Sequence, residues 1–309
     1  MRKFFKWVGI VILSLVIIIV VVILLLSNKA TKAGNKTYEV SVPTIEIPTD
    51  SASFVRGSVI ATSICGHCHG GDFGGTPFFN EPDLAEVPAP NITKGGVTKD
   101  YSDADWIRVI RYGVKPDKTG VFIMPSLEMG KMSDKDLGAL ISYLKTVAAS
   151  DKTWPDPKMK LLGKVMAGAG LFGELYQANL IDLTNTKPII APEPGPTVEY
   201  GAYTLSFHGC DACHGAGLNG YQSDRPGAPA AANLTPGGNL GKWSLDQFKE
   251  TLRSGNTPEG KKLNDEFMPW AAAGLMTDME LEAIYNYLKR LPAREDDPGL
   301  KKYKEKLAK

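Results

Sequence analysis

One pentapeptide constrains this chain more than anything else in it, because it occurs twice. Cys65-Gly66-His67-Cys68-His69 and Cys210-Asp211-Ala212-Cys213-His214 both read C-x-x-C-H, and between them they take up all four cysteines of the 309 residues. On a helical turn, positions i, i+3 and i+4 share one face. Two thiols placed this way bond the two vinyl groups of a haem while the next imidazole reaches the iron from the same side, so the pattern reads as covalent haem attachment. A zinc site of this kind needs a second cysteine pair close by. Here the other pair lies 145 residues away, in an identical context of its own. A thioredoxin-like redox pair has no need of His directly after the second Cys in both copies. No cysteine is left for a disulfide, a lipid anchor or a free thiol.

The surroundings of the pentapeptide recur as well. Asn91-Ile92-Thr93 matches Asn233-Leu234-Thr235, and 22 residues after each Asn stands a glycine, Gly113 or Gly255. Met124-Pro125 matches Met268-Pro269, 59 and 58 residues after the first Cys of each half. Eight residues beyond each of these methionines, MSDKDLGALISYLK (from Met132) matches MTDMELEAIYNYLK (from Met276). The chain is therefore read as a tandem duplication of one unit of roughly 95 residues.

Each unit predicts three helices. One enters the pentapeptide (54–62; 200–207), one lies in the middle (103–112; 244–254), and a last one follows the Met-Pro loop. The last helix has a capping box in both copies, Ser133 with Asp136 and Thr277 with Glu280. Its apolar face is Leu137, Leu140, Ile141 and Leu144 in one copy and Leu281, Ile284, Tyr285 and Leu288 in the other. The fold class expected is all-α.

An iron held by one His needs an opposite ligand or stays open for chemistry. Met is the usual partner in electron-transfer sites, but with nine methionines in the chain core packing is the default reading of each. Met132 and Met276 precede the helix caps, with Leu137 and Leu281 at the fourth helical position, which is a hydrophobic staple and sufficient reason for them. Met124 and Met268 have no such role. Each lies in a loop, precedes Pro and stands far enough from its His to return across the other face, so they are the expected axial ligands. Met129 and Met279 have no counterpart and read as packing. His67 and His208 have no counterpart either, and read as a variable motif position and a surface or propionate neighbour. Arg111 and Arg253 suit carboxylates such as haem propionates, or equally a solvated helix end. Trp106 and Trp243 occupy different places in the repeat, which weakens any shared role. Pro88 and Pro90 precede Asn91, whereas Ala230 and Ala232 precede Asn233, so no proline carbonyl is assigned to both imidazoles.

Residues 7–26, WVGIVILSLVIIIVVVILLL, carry no charge. As a helix, about 20 residues cover about 30 Å, the thickness of a bilayer's hydrocarbon core. The run exceeds the apolar stretch of a cleaved signal and has no A-x-A exit, which favours a retained anchor. Arg2, Lys3 and Lys6 before it balance Lys29, Lys32 and Lys36 after it, so charge leaves the orientation open. Haem attachment of this kind takes place outside the cytoplasmic membrane, and that places the bulk of the chain on the outer, periplasmic side. Residues 28–52 read as an extended tether, with a possible edge strand over 38–47. The apolar run over 159–180, followed by four prolines up to Pro196, reads as an interdomain helix and a stiff spacer, with a membrane or partner surface as the sharper alternative. The formal net charge of +1 gives no compositional case for nucleic-acid binding. The 32 Gly and 21 Pro suit loop-rich units.

At these motifs the sequence resembles the tandem class I c-type cytochromes, and most of all the cytochrome subunits of membrane-bound alcohol and gluconate dehydrogenases. The segments that carry the likeness are CGHCHG, PNITKGG, DADWIRVIRYG, FIMPS and MSDKDLGALISYLK in the first half. In the second they are CDACHG, ANLTPGG, KWSLDQFKETLRSG, EFMPW and MTDMELEAIYNYLKRLP. The likeness covers about two thirds of the chain. It departs from those subunits in having two haem motifs where they resemble three-haem chains, and in its single N-terminal apolar run. The resemblance implies two covalently bound haem c groups, one held by Cys65, Cys68, His69 and Met124, the other by Cys210, Cys213, His214 and Met268. It implies a non-enzymatic electron carrier whose redox partner is a dehydrogenase, a quinol-oxidising complex or a terminal oxidase. The expected layout is a transmembrane anchor (1–27), a tether (28–52), cytochrome c domain 1 (53–150), a linker (151–198) and cytochrome c domain 2 (199–309). A dihaem peroxidase or thiosulfate-oxidising enzyme would need an open or displaceable ligand position. An obligate subunit of a larger complex differs from a free carrier only by its partner.

Overall fold

The computed structural model describes residues 2–222 and 228–300, so the expected end of the second domain at residue 309 lies outside the described residues. Helix α1 (Arg2–Gly34) is a single rod. Among the described residues it is the one helix long and apolar enough to cross a membrane.

Each half then builds one helical unit. In the first, α2 (Ser51–Ile60) runs through a π-helical turn (Ala61–Cys65) into the short α3 (Gly66–His69), which carries the first pentapeptide. A small antiparallel sheet follows, β1 (Thr76–Glu81) with β2 (Ala85–Ala89), then α4 (Asp103–Tyr112), α5 (Ser126–Met129) and α6 (Asp134–Leu144). The connecting segment adds β3 (Lys158–Met159) to the edge of β2, and forms α7 (Leu161–Gly168). In the second unit, α8 (Val198–His208) and α9 (Cys210–His214) are separated by Gly209 at φ +69°. Then come α10 (Leu245–Ser254), α11 (Trp270–Ala273) and α12 (Asp278–Arg290).

Both units close in the same way. The first helix crosses the last with a glycine at the contact. A Cβ on Gly57 would stand 2.0 Å from the Ala139 carbonyl oxygen, and one on Gly201 would stand 1.9 Å from that of Ala283. Only hydrogen at these positions lets α2 reach α6 and α8 reach α12. Met132 with Leu137, and Met276 with Leu281, are buried at the caps of α6 and α12, as the staple requires.

Four expectations are corrected. The expected all-α fold has no sheet, yet β1 and β2 pair in the first unit. The segment after α1 is no free tether: α1 itself runs on to Gly34, and the extended chain beyond it is laid into the first unit. Tyr38 and Ile45 are buried in that core, the Tyr38 N–H donates to the Lys118 carbonyl (2.9 Å), and the Ser142 hydroxyl donates to the Pro48 carbonyl (2.6 Å). No strand forms over 38–47. Apolar side chains, Val40, Val42 and Ile47 among them, hold the segment in place instead. The connecting segment, expected as an interdomain helix packed over one or both units, forms the shorter α7 and gives Ala178 and Leu183 to the core of the first unit. The fourth correction concerns a cap. Thr277 and Glu280 complete their box, but at Ser133 only half of it forms, because the Tyr203 hydroxyl accepts from the Ser133 N–H (2.9 Å) and the Asp136 carboxylate is engaged by Arg56 and Tyr203.

Candidate functional site

Both pentapeptides are helical turns, as the spacing requires, and each ends on a glycine, Gly70 (φ +80°) or Gly215 (φ +79°), in a conformation closed to residues with a side chain. The chain then folds back identically in the two units. The N–H of Gly75 donates to the His69 carbonyl (2.8 Å) and that of Gly220 to the His214 carbonyl (3.0 Å). Four residues past each imidazole a buried residue, Phe73 or Leu218, is held in the left-handed region at φ +55° or +54°. Such strain persists only where the surroundings over-determine it.

This loop returns a main-chain oxygen to each imidazole. His69 Nδ1 donates to the Pro90 carbonyl (2.8 Å), and His214 Nδ1 donates to the Ala232 carbonyl (2.7 Å). A carbonyl only accepts, so the proton sits on Nδ1 and Nε2 carries the lone pair, the tautomer that a metal requires. Burial lowers both histidine pKa values, with the carbonyl bond opposing it, so the rings are neutral. The residue that follows each carbonyl is the asparagine of the repeated N-x-T. Asn91 Oδ1 accepts from the N–H (2.9 Å) and hydroxyl (2.7 Å) of Thr93, and its amide donates to the Ser150 and Lys152 carbonyls. Asn233 does the same with Thr235 and the Arg294 carbonyl. These four residues are buried, and they set the position of the oxygen that orients each imidazole. Their role was missed at the level of sequence, although their recurrence in the repeat was the available signal.

The thiols are free of disulfides, and burial pushes Cys65 and Cys210 up to about 12, Cys68 to about 11 and Cys213 upward. They are therefore neutral thiols, not a reactive thiolate pair. Among the described residues no group of three or more His, Cys, Asp or Glu is placed to hold a metal ion, which counts against zinc. Met124 and Met268 are half-buried in matching loops. In each, Pro follows, and the N–H two residues on, Ser126 or Trp270, donates back to the methionine carbonyl at 2.8 or 2.6 Å. Cys65 and Met124 lie at the edge of one apolar cluster, and Cys210 and Met268 at the edge of the second. Two residues past Met268, the indole Nε1 of Trp270 is buried with no protein partner. An imidazole with a bare Nε2, two thiols on the same helical turn and a thioether on the same cluster fit a haem in each unit, and the second unit adds the orphaned Trp270 donor.

Several neighbours differ from expectation. Arg111 is not a solvated helix end: it is buried, pairs with Asp134 (2.6 Å) and donates to the Met132 carbonyl (2.7 Å). Arg253, by contrast, stays an exposed helix end, although it donates to the Gly274 and Met276 carbonyls and pairs with Asp278 (2.9 Å). Trp243 gives its indole N–H to Glu259 (2.8 Å). His208 is partly buried, with both ring nitrogens engaged. Its Nδ1 donates to the Thr204 carbonyl (2.8 Å), and its Nε2 lies 3.3 Å from the Ser63 hydroxyl of the other unit.

That last contact joins equivalent positions, since Ser63 and His208 each stand two residues before the first Cys of a pentapeptide. The packing around it has the same twofold logic. Helix α5, just after Met124, lies against α8, with Glu128 on Gly209. Helix α11, just after Met268, lies against the turn Ala61–Cys65. Beside them Arg56 reaches both N3 carboxylates, Asp136 of α6 (2.8 Å) and Glu280 of α12, while the Tyr203 hydroxyl donates to Asp136 (2.6 Å).

Residues 52–144 match the family model described as cytochrome c oxidase, cbb3-type, subunit III, and residues 198–292 match the model described as cytochrome c. Neither description is of a dehydrogenase subunit. A search of curated proteins gave no match.

Proposed function

We propose that this chain, a tandem c-type cytochrome with two covalently bound haem c groups, is a membrane-anchored relay that takes electrons from a respiratory or dehydrogenase donor and passes them through both units to a downstream acceptor. Bound haem c supplies a reversible one-electron iron couple, with a potential tuned by ligands, hydrogen bonds and burial. Cys65, Cys68, Cys210 and Cys213 would hold the two groups, His69 and Met124 would complete one ligand set, and His214 and Met268 the other. The Pro90 and Ala232 carbonyls would keep each imidazole in its metal-binding tautomer. The observation that carries the relay is the mutual packing of the units, in which each Met-Pro loop's helix lies on the other unit's haem-binding end and Ser63 meets His208. The residues two positions before each attachment turn thus meet inside one molecule. Helix α1 would be the single membrane span, with both units on the outer side.

Ligation is tested on the full chain purified in mild detergent. The oxidised protein should show the methionine-to-iron charge-transfer band, and neither reduced haem should bind carbon monoxide. Met124→Ala and Met268→Ala should each remove about half of the band and open one haem to carbon monoxide. Rapid carbon monoxide binding by the unaltered protein overturns the six-coordinate reading and favours an enzyme.

A second reading is supported by the match of the first unit to a family described as an oxidase subunit. On that reading the chain is a redox subunit of a terminal oxidase complex. Oxidase activity that co-purifies with the full chain in mild detergent supports it, and a chain that purifies alone, in redox-active form, opposes it.

A further inference from the structure

Helix α1 is exposed on every side from Arg2 to Val22. Cover begins at Ile23 and continues at Leu26, Ser27, Ala30, Ala33 and Gly34, a spacing of three and four that marks one helix face. The element that packs on this face is α7. The approach is close at its C-terminal end, where a Cβ on Gly168 would stand 2.1 Å from the Leu26 carbonyl oxygen. The other end of α7 stays with the first unit, because a Cβ on Gly163 would meet the Leu84 carbonyl oxygen at 2.2 Å. Tyr176 then returns the chain to Gly34, where its hydroxyl would lie 2.8 Å from a Cβ. Thus α7 descends along α1, turns, and climbs back. Ile23 and Leu26 both belong to the charge-free run 7–26. Whatever covers them sits at the depth of that run.

The segment that reaches this depth is made for an apolar medium. Residues 165–173, VMAGAGLFG, carry no charge. Leu171 is 66% exposed, Leu161 60%, Leu162 51% and Phe172 39%. Gly170 (φ +81°) and Gly173 (φ +67°) make the turn, and nothing lies within 4 Å of a Cβ built on either. A turn that faced water would gain nothing from Leu-Phe at its tip. Lysines flank the apolar tip in sequence: Lys29 and Lys32 near the end of α1, Lys158 and Lys160 before α7, where Lys160 pairs with Glu86 (2.8 Å), and Lys164 within it. Their stems suit the headgroup layer.

We propose that residues 161–173 are a second membrane contact, with the Leu171-Phe172 tip set into the lipid beside α1. This rests on the reading of α1 as a membrane span. A single helix alone would leave the haem units free to swing about their anchor. Two contacts fix which face of the pair is turned to the membrane, and hence which haem a membrane-embedded partner meets.

The test uses the full chain in nanodiscs of phosphatidylcholine with phosphatidylglycerol, with one nitroxide per chain. Native cysteines are consumed by the haem links, so a single added cysteine labels selectively at Leu171→Cys, Phe172→Cys, Ile17→Cys (mid-span) or Lys135→Cys (exposed on α6). Power saturation then compares access to oxygen with access to a water-soluble nickel chelate. Labels at 171 and 172 should favour oxygen, as at 17, while 135 favours nickel. Nickel access at both tip positions with oxygen access at 17 overturns the proposal and leaves the span standing. Nickel access at 17 overturns the span itself. Label-to-label broadening at the tip, seen only in discs that hold two chains, assigns the tip to a second copy and also overturns the proposal. The two tip variants are independent, and both positions are exposed, so the loss of one to misassembly leaves the other to decide.

Discussion

The imidazoles of both units lean on oxygens that belong to no side chain. Proline at 90 and alanine at 232 have nothing in common except a carbonyl, so comparing residue types could not find the shared partner. The cysteines, histidines and Met-Pro pairs were legible because spacing and repetition constrain side chains. The oxygen is legible only through Asn91 and Asn233, whose side chains fold the loop that presents it. This makes the asparagine a positioning residue, with a consequence that can be checked. Asn233→Ala removes the acceptor for the N–H and hydroxyl of Thr235 and leaves buried donors unmet, at a cost of about 1–3 kcal/mol. The loss should fall on the second unit alone, as an earlier guanidinium unfolding transition of its haem band. The midpoint potential of that haem should move while the other stays put. A potential that does not change would reduce Asn233 to a structural tie.

At the scale of elements, caps and periodicity carried far. Helix α4 was placed at 103–112 and forms there, and α6 and α12 start at the expected Ser133 and Thr277. Two kinds of element were not readable. The chain from residue 35 to 50 has no period, and it packs through a few apolar residues that only the finished core makes sense of. The helix crossings depend on Gly57 and Gly201, which in sequence are two of 32 glycines. Their importance comes from a partner 82 residues further on in each unit, Ala139 and Ala283. Adding bulk at such a crossing forces the helices apart and costs about 1–3 kcal/mol. Gly201→Val should lower the stability of the second unit by that amount in chemical denaturation. Gly71→Val, where nothing lies within 4 Å of a Cβ, should change stability little. Equal effects of the two would mean that the crossing is soft.

In the whole molecule, one departure from the twofold relation between the units decides how they are tied together. The position in the second unit that answers to Arg56 is Tyr200, each standing just before its crossing glycine. A single guanidinium therefore serves both N3 carboxylates, Asp136 and the almost wholly buried Glu280. Nothing in the repeat could announce this, since repetition reveals what is shared. Burial alone would raise the Glu280 pKa, but Arg56 and the Thr277 N–H outweigh it and hold the carboxyl below its ordinary 4.5. A depressed native pKa means that the unfolded or undocked chain binds more protons. The stabilisation is thus complete above about pH 4.5 and is lost as pH falls through the lower native value. Acid should therefore separate the two units before it unfolds either. Thermal unfolding of the full chain in detergent should show one transition near neutrality and two at low pH, and electron equilibration between the haems should slow over the same range. Glu280→Gln should flatten this pH dependence. Arg56→Ala, which leaves two buried carboxylates without their cation, should cost about 3–5 kcal/mol at neutral pH and should produce the separated behaviour there. A single transition at every pH in Arg56→Ala would mean that the apolar contacts of α5 and α11 hold the units together, and that the charge cluster sets only their alignment.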